Sequence, residues 1–469
     1  MKIKFFITIL FISLLFPIQP ASAQDQNVFP SYVIQSGDSL GYIANLFNTT
    51  VEDIILLNNI SNPDFISPGD RIFIPGYPGY AGELRIIATD LGETYSSLPV
   101  KYQTDKTSII KLNSLLSPAR IFAGSELIVL IPPDSQLLVP NSIMKEGQTG
   151  LELAASLSAN PFVLQLQNDY TGSSSILSGT VVFSSIEENG DGLELFAPSL
   201  DDVSIFPLPL VQGGTETISV TTSKNVKLNG FLGDHPLQFF SSEPGNYFAL
   251  QGVYALEEPG LIDFYLSVTH EDGTIETFTQ PVLVTPGFFD EDPPLKVDPA
   301  TIDPSITGPE NELVSSIITN ITPVKYWQSI FASPAYYQEY NSLFGTRRKY
   351  NDDPTVYFHT GVDFAGGMTL PITSPAPGKV VFSGPLAVRG NAVFIDHGWV
   401  VFSVFFHQDT LLVKVGDFVD IGQQIGTVGN TGRVNGAGDY QGAGAHLHWE
   451  VWVNGVLVNP LDWLSFEYP

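Results

Sequence analysis

Five of the seven histidines lie between positions 359 and 448 of a 469-residue chain. Ligand-type residues gathered in one region point to a metal or acid–base site. Three segments carry four of them. FHTGVDF places His359 and Asp363 four apart. Gly361 and the β-branched neighbours favour a loop entering a strand, and such a pair also arises often by chance. WVVFSVFFHQD reads as an apolar strand ending in His407, where a lone histidine commonly has a structural role. GAHLHWEVWVNGVLVNP holds His446 and His448 two apart, with Glu450 beyond them. Strand alternation puts all three on one face. Asn454-Gly455 between alternating Val and Trp is a strong hairpin signal. A half-exposed strand also needs a polar face, so the His-x-His pair alone leaves both readings open. His397, at a turn before Gly398, reads as structural. The chain has no cysteine, so thiol catalysis is excluded and any metal must be held by His, Asp or Glu.

The frame around these residues is FGTRR (344–348), HTGVDF, SPAPGKVVFSG (374–384), GNAVFIDHG (390–398), FFHQ (405–408), VKVGDFVDIGQQIGTVGNTG (413–432) and HLHWE (446–450). In that order it resembles the lysostaphin-like, or LytM-type, zinc metalloendopeptidases that cut peptide cross-links of bacterial peptidoglycan. The resemblance spans roughly 340–464. It implies an antiparallel β-sheet domain with zinc as cofactor, His359, Asp363 and His448 as metal ligands, His446 as catalytic base and His407 as its assistant. Two histidines and a carboxylate leave the fourth tetrahedral position open for water. Phe405-Phe406 stands where the family has a tyrosine-containing segment, so a hydroxyl beside His407 is lost. The stretch 433–445 is longer than the family's link and is expected at the cleft.

The preceding chain must position this domain and carry it to substrate. Lys2 and Lys4, the apolar run Phe5 to Ile18 and Ala21-Ser22-Ala23 read as a secretory signal over 1–23. The mature chain is then exported, secreted or held in the cell envelope, with no further apolar run of membrane-spanning length. Residues 31–76 read strand–helix–helix–strand. Asp38 or Ser39 is placed to cap the first helix and Thr50 the second. GDSL, Ile43-Ala44, Asn58 and PGDRIFIP resemble a LysM domain, which implies binding to N-acetylglucosamine-containing glycan near Gly37, Asp38, Ser39 and Pro68. Weaker copies occupy 83–132 and 140–184, with Asn113 and Asn168 matching Asn58. Short strands between Gly, Pro and Asn over 186–285 predict an Ig-like β-sandwich, with Thr217-Val220, Leu237-Phe240, Tyr247-Leu250, Ile262-Thr269 and Thr274-Val284 as strands. His235 and His270 are isolated there and read as surface residues. Six prolines between 286 and 309, among acids, predict a stiff solvated linker over 286–325, with a short helix from Asn311 to Ile321.

The fold class is thus multidomain and mainly β. A net charge of −29 disfavours nucleic acid or an anionic membrane as partner. The leading reading is an exported zinc metalloendopeptidase acting on peptidoglycan, its peptide stems at the C-terminal domain and its glycan at LysM. The competing one is an inactive scaffold that activates another wall hydrolase. Retention of all five chemical positions opposes the scaffold.

Overall fold

The structure is a computed structural model. It describes residues 29–434 and 444–469, apart from 63–65, 94, 96, 116–120, 134, 136, 145–148, 169–180, 185–199, 201 and 223–224. The signal peptide and most of the 433–445 stretch therefore lie outside the described residues. The chain divides into two compact units at Leu84/Arg85.

The first unit holds β1 (Ser31–Val33), α1 (Leu40–Leu46), α2 (Val51–Asn58) and β2 (Arg71–Phe73), with β1 antiparallel to β2. Ser39 caps α1 by accepting from the Tyr42 amide, and Thr50 caps α2 by accepting from Asp53. Leu40, Ile43, Ala44 and Phe47 are buried together with Tyr32, Ile54, Ile72 and Ile74. This is the helical stripe closing on a strand pair. Asn58 fastens the helix end to the strand. Its amide donates to Ile54 O (2.9 Å) and Phe73 O (2.8 Å), and its Oδ1 accepts from Phe73 N (2.7 Å).

The second unit repeats this plan twice. β3 (Glu83–Ala88), α3 (Leu98–Lys101), α4 (Lys106–Leu112) and β4 (Glu126–Ile131) form one copy. β5 (Val139–Ile143), α5 (Gly150–Ser156), α6 (Pro161–Gln167) and β6 (Val181–Ser184) form the other. Asn113 makes the same clasp to Ile109 O and both backbone groups of Ile128, as does Asn168 to Leu164 O and both groups of Phe183.

A two-sheet sandwich follows: β7 (Asp202–Phe206), β8 (Leu210–Val211), β9 (Thr215–Thr221), β10 (Val226–Leu232), β11 (His235–Pro236), β12 (Phe240–Glu243), β13 (Asn246–Gly252), β14 (Gly260–His270) and β15 (Ile275–Thr285). One sheet runs β12-β13-β9-β7 and the other β11-β10-β14-β15-β8. Ile218, Val220, Phe264, Leu266 and Val282 fill the space between. The predicted strand Leu237-Phe240 is displaced. Leu237 bonds back to Gly230 O, and the strand begins only at Phe240. Strands β7 and β10 were not predicted; β10 carries Asn229 and Gly230, which interrupt its alternation, whereas β7, DVSIF, alternates but is only five residues long.

Segment 286–325 is not a solvated linker. Asp292 N, Leu295 N and Asn351 N make backbone bonds that lash 290–297 to 347–351. Helix α7 runs Pro304–Ile318, starting well before the predicted Asn311. Asp303 caps it by accepting from Ser305 N, and Pro304 sits at the first helical position, where its missing N–H costs nothing. Pro309 reads as a breaker but lies inside the helix. Val314 and Ile318 bury against Ala392, Phe394, Phe402, Val404 and Phe406. Glu310 accepts from Val388 N and from Arg389 N and Nη1.

The C-terminal domain holds β16 (Tyr340–Ser342), β17 (Arg347–Arg348), β18 (Tyr357–Phe358), β19 (Val362–Ala365), β20 (Pro371–Thr373), β21 (Gly378–Leu386), β22 (Gly390–Gly398), β23 (Val401–Leu411), β24 (Phe418–Val419), β25 (Gln424–Val428), β26 (His446–Val453), β27 (Val456–Val458) and α8 (Pro460–Trp463). Its antiparallel sheet runs β16-β19-β26-β23-β22-β21-β24, with β25 beside β20 and β23, and β27 beside β26. Trp327 and Phe331 pack with Trp399 and Trp463 in its core, so the domain begins before residue 340. The sandwich shares that core. Phe240 stacks on Trp399, Trp463 Nε1 donates to Thr215 Oγ1, and Arg347 Nη2 donates to Ala255 O.

Candidate active site

β26 lies between β19 and β23, and its register brings the site together. His448 stands opposite Asp363 on one side and Phe406 on the other. Directly opposed residues have Cβ atoms about 5 Å apart, within reach of an imidazole and a carboxylate. His448 Nδ1 lies 2.7 Å from Asp363 Oδ1, and the Phe406 ring stacks on the His448 imidazole at 5.2 Å and 6°. Asn454 and Gly455 both have positive φ, as a type I′ hairpin turn requires, and this turn sets the register of β26 with β27.

His359 enters from the turn after β18, held by backbone bonds between its own N and O and Thr346 and Gly345. Its Nε2 is 3.1 Å from Asp363 Oδ1 and 3.1 Å from His448 Nδ1. The turn must be tight. A Cβ on Gly361 would lie 2.3 Å from Trp449 O and 2.9 Å from His448 Nε2, so this position needs glycine. Its place between His359 and Asp363 was the available signal for this role, but sequence reading took it only as evidence for a loop.

His446 and His448 share a face, as alternation predicts. The His446 Nδ1–H donates to Gly444 O, which leaves its Nε2 facing the cluster, 3.5 Å from Asp363 Oδ1. His407 is not at a strand end, because β23 continues to Leu411. It sits in a bulge with φ 60°, where three steps along β23 oppose two along β22. A bulge re-aims a side chain, and here it brings the His407 ring to 5.2 Å from His446 and 6.0 Å from His448. The His407 Nδ1–H donates to Thr431 O at 2.8 Å. A backbone carbonyl therefore orients the His407 ring.

Burial and neighbouring charge set the protonation states of the cluster. Burial pushes the His359 and His407 imidazoles down, keeping both neutral. Burial would raise the Asp363 carboxyl, but His359 and His448 outweigh it and hold it well below the usual carboxylate range. Burial would lower His448, but Asp363 and Glu450 together push it up to about 9. Glu450 Oε1 lies 3.2 Å from His448 Nε2, and its Oε2 accepts from Trp452 Nε1. Glu450 thus touches His448 rather than the cluster.

His359 Nε2, Asp363 Oδ1 and His448 Nδ1 offer one ligand atom each within 4.8 Å of one another. Zinc bonds of 2.0–2.1 Å in a tetrahedron set neighbouring donors about 3.3 Å apart, close to the spacing here. Each imidazole is held from its far side, His359 Nδ1 by Leu343 O at 2.9 Å and His448 Nε2 by Glu450. That second contact fixes which nitrogen faces a metal. The set fits zinc. His397 lies elsewhere, fully buried against Phe331, with its Nδ1–H on Pro377 O.

The proposed glycan residues are also brought together, but differently. Bonds between Ile34 and Gly69 and Asp70 set the Gly37–Ser39 turn beside Pro68. Gly37, Ser39 and Pro68 are exposed. The Asp38 carboxylate accepts from Gln35 N and the Tyr32 hydroxyl, and Ser39 Oγ caps α1. Their polar side chains serve the loop.

Known proteins match parts of this chain. The model of peptidase family M23 matches residues 357–460, and that of the LysM domain matches 32–75 and 91–130. Peptidoglycan DD-endopeptidase ShyC of Vibrio cholerae is 34% identical over 133 residues, 28% of this chain and 29% of the relative. This chain therefore covers less than a third of that relative's length. Lipoprotein NlpD of Yersinia enterocolitica is 37% identical over 103 residues, 22% of this chain and 97% of the relative. The solved structure of a zinc containing peptidase from Vibrio cholerae overlaps 94% of this chain and 99% of its own, at 17% identity and a TM-score of 0.28. The family match encloses His359, Asp363, His407, His446 and His448, and the chain belongs to peptidase family M23.

Proposed function

We propose that the protein is a zinc metalloendopeptidase that hydrolyses peptide cross-links of bacterial peptidoglycan, exported by its N-terminal segment and held on wall glycan by its LysM repeats. The observation that carries this is the convergence of three ligand atoms with two further imidazoles whose Nε2 lone pairs are free for proton work. His359, Asp363 and His448 would hold the metal. Bound zinc supplies a Lewis acid and a water acidified toward neutral pH.

The chain's own residues do the rest. His446 Nε2 accepts the proton of the attacking water and returns it to the leaving amine. His407, neutral and carrying its proton on Nδ1, accepts a second hydrogen bond at Nε2 and so orients that water. Tethering by LysM raises the local concentration of cross-links at the domain. No helix among the described residues is long and apolar enough to cross a membrane. The ShyC name, peptidoglycan DD-endopeptidase, favours a DD bond as the one cut. The inactive-scaffold alternative is not favoured, because every donor and both proton-handling imidazoles are in place.

Purified muropeptide dimers of defined linkage, incubated with the zinc-loaded protein and read by mass spectrometry, test this. Conversion of DD-linked dimers to monomers is expected. Intact dimers of every linkage, with zinc bound, would sink the proposal.

A further inference from the structure

The His359 imidazole has a second neighbour behind it. Besides Leu343 O, its Nδ1 lies 3.1 Å from Ser342 Oγ. Arg348 Nη2 donates to that Oγ at 2.6 Å, and Arg348 Nε donates to Asp292 Oδ2 at 2.9 Å. The Arg348 side chain is 14% exposed and that of Asp292 33%. Asp292 does not belong to the sheet that builds the site. It lies in the proline-rich segment after the sandwich and is held in place by backbone bonds to Arg347 on both sides, Asp292 N to Arg347 O and Arg347 N to Asp290 O.

We propose that Asp292 is a positioning residue for the metal site, acting through Arg348 and Ser342 on His359. This rests on the metal-site reading above. The Leu343 carbonyl can only accept, so it alone keeps the proton on Nδ1 and the lone pair of Nε2 toward the metal. Ser342 therefore has a different task. It fixes the tilt of the ring, and Arg348 fixes Ser342. A guanidinium behind a ligand that must donate electrons to a cation is unfavourable unless its charge is balanced. Asp292 balances it. The adjacent arginines thus divide their work: Arg347 ties the sandwich to the C-terminal domain through Ala255 O, and Arg348 ties the connecting segment to the metal site.

The test is zinc affinity of the full-length protein, measured by competition with a chromophoric chelator. Asp292→Asn keeps the side-chain shape and the backbone bonds but leaves Arg348 unbalanced, and about a tenfold loss of affinity is expected, the low end for contacts behind a ligand. Asp292→Asn combined with Arg348→Gln removes the stranded charge while keeping an amide donor for Ser342, and should bind zinc more tightly than Asp292→Asn alone. A merely structural role would make the double variant worse. Ser342→Ala should also weaken binding, with Ser342→Thr restoring it. Wild-type affinity in Asp292→Asn, or additive loss in the double variant, would overturn the inference while leaving the metal site standing. A folded wild-type protein that takes up no zinc would overturn both.

Discussion

The two candidate binding regions use polar side chains in opposite ways. In the first repeat, Asp38 and Ser39 turn their oxygens back onto Gln35, Tyr32 and Tyr42. In the C-terminal domain, His359, Asp363 and His448 turn theirs toward one another, all three buried. Residue type points to both regions equally. What separates them is whether the polar atoms are consumed by the fold or left facing a common centre.

The sharpest way to break this contrast is to remove a donor. His448→Ala should abolish zinc binding, a loss beyond the roughly 100-fold ceiling for supporting contacts, read by metal analysis after dialysis. His446→Ala should retain zinc but lose about 10²- to 10⁴-fold in turnover, the usual weight of a general base. Turnover unchanged in that variant would overturn the assignment of His446 as the base.

Proton competition gives a further test. His448 holds a proton up to about pH 9, against an ordinary value of 6.5. Zinc must displace that proton, so apparent affinity should climb about tenfold per pH unit from near 7 to near 9 and then level off. Metal-free stability runs the other way. A raised pKa stabilises the fold fully below the unfolded value, and that share is lost as pH rises through about 9. Zinc titrations flat across this window would contradict the His448–Asp363–Glu450 arrangement.

The smallest effect belongs to the repeat. Ser39→Ala should cost roughly 1 kcal/mol of stability by removing a helix cap, seen in chemical denaturation. Its affinity for N-acetylglucosamine oligomers in the folded state should be unchanged. A selective loss of glycan binding would make Ser39 a ligand contact and erase the contrast.

Much of the site was legible because period-2 alternation is local. It puts His446 and His448 on one face, and the Asn-Gly turn pairs their strand with the next. The repeats were legible because one asparagine recurs at the same place in each. What escaped depends on distant partners. The bulge at His407 arises from pairing with β22, which local alternation does not show. Segment 286–325 reads as solvated because prolines and acids usually are. Its Asp292 pairs with Arg348, 56 residues away, and its Glu310 with Arg389, 79 away. Neither distance leaves a mark in composition.

The asparagine clasps also say how this protein would age. A carboxamide offers a donor and an acceptor side by side, which lets Asn58 satisfy two carbonyls and an amide at once. Deamidation to aspartate would set a carboxylate oxygen against Ile54 O and Phe73 O, turning two attractions into repulsions. The same holds at Asn113 and Asn168. In a chain without disulfides, the slow chemistry of three amides would loosen all three repeats.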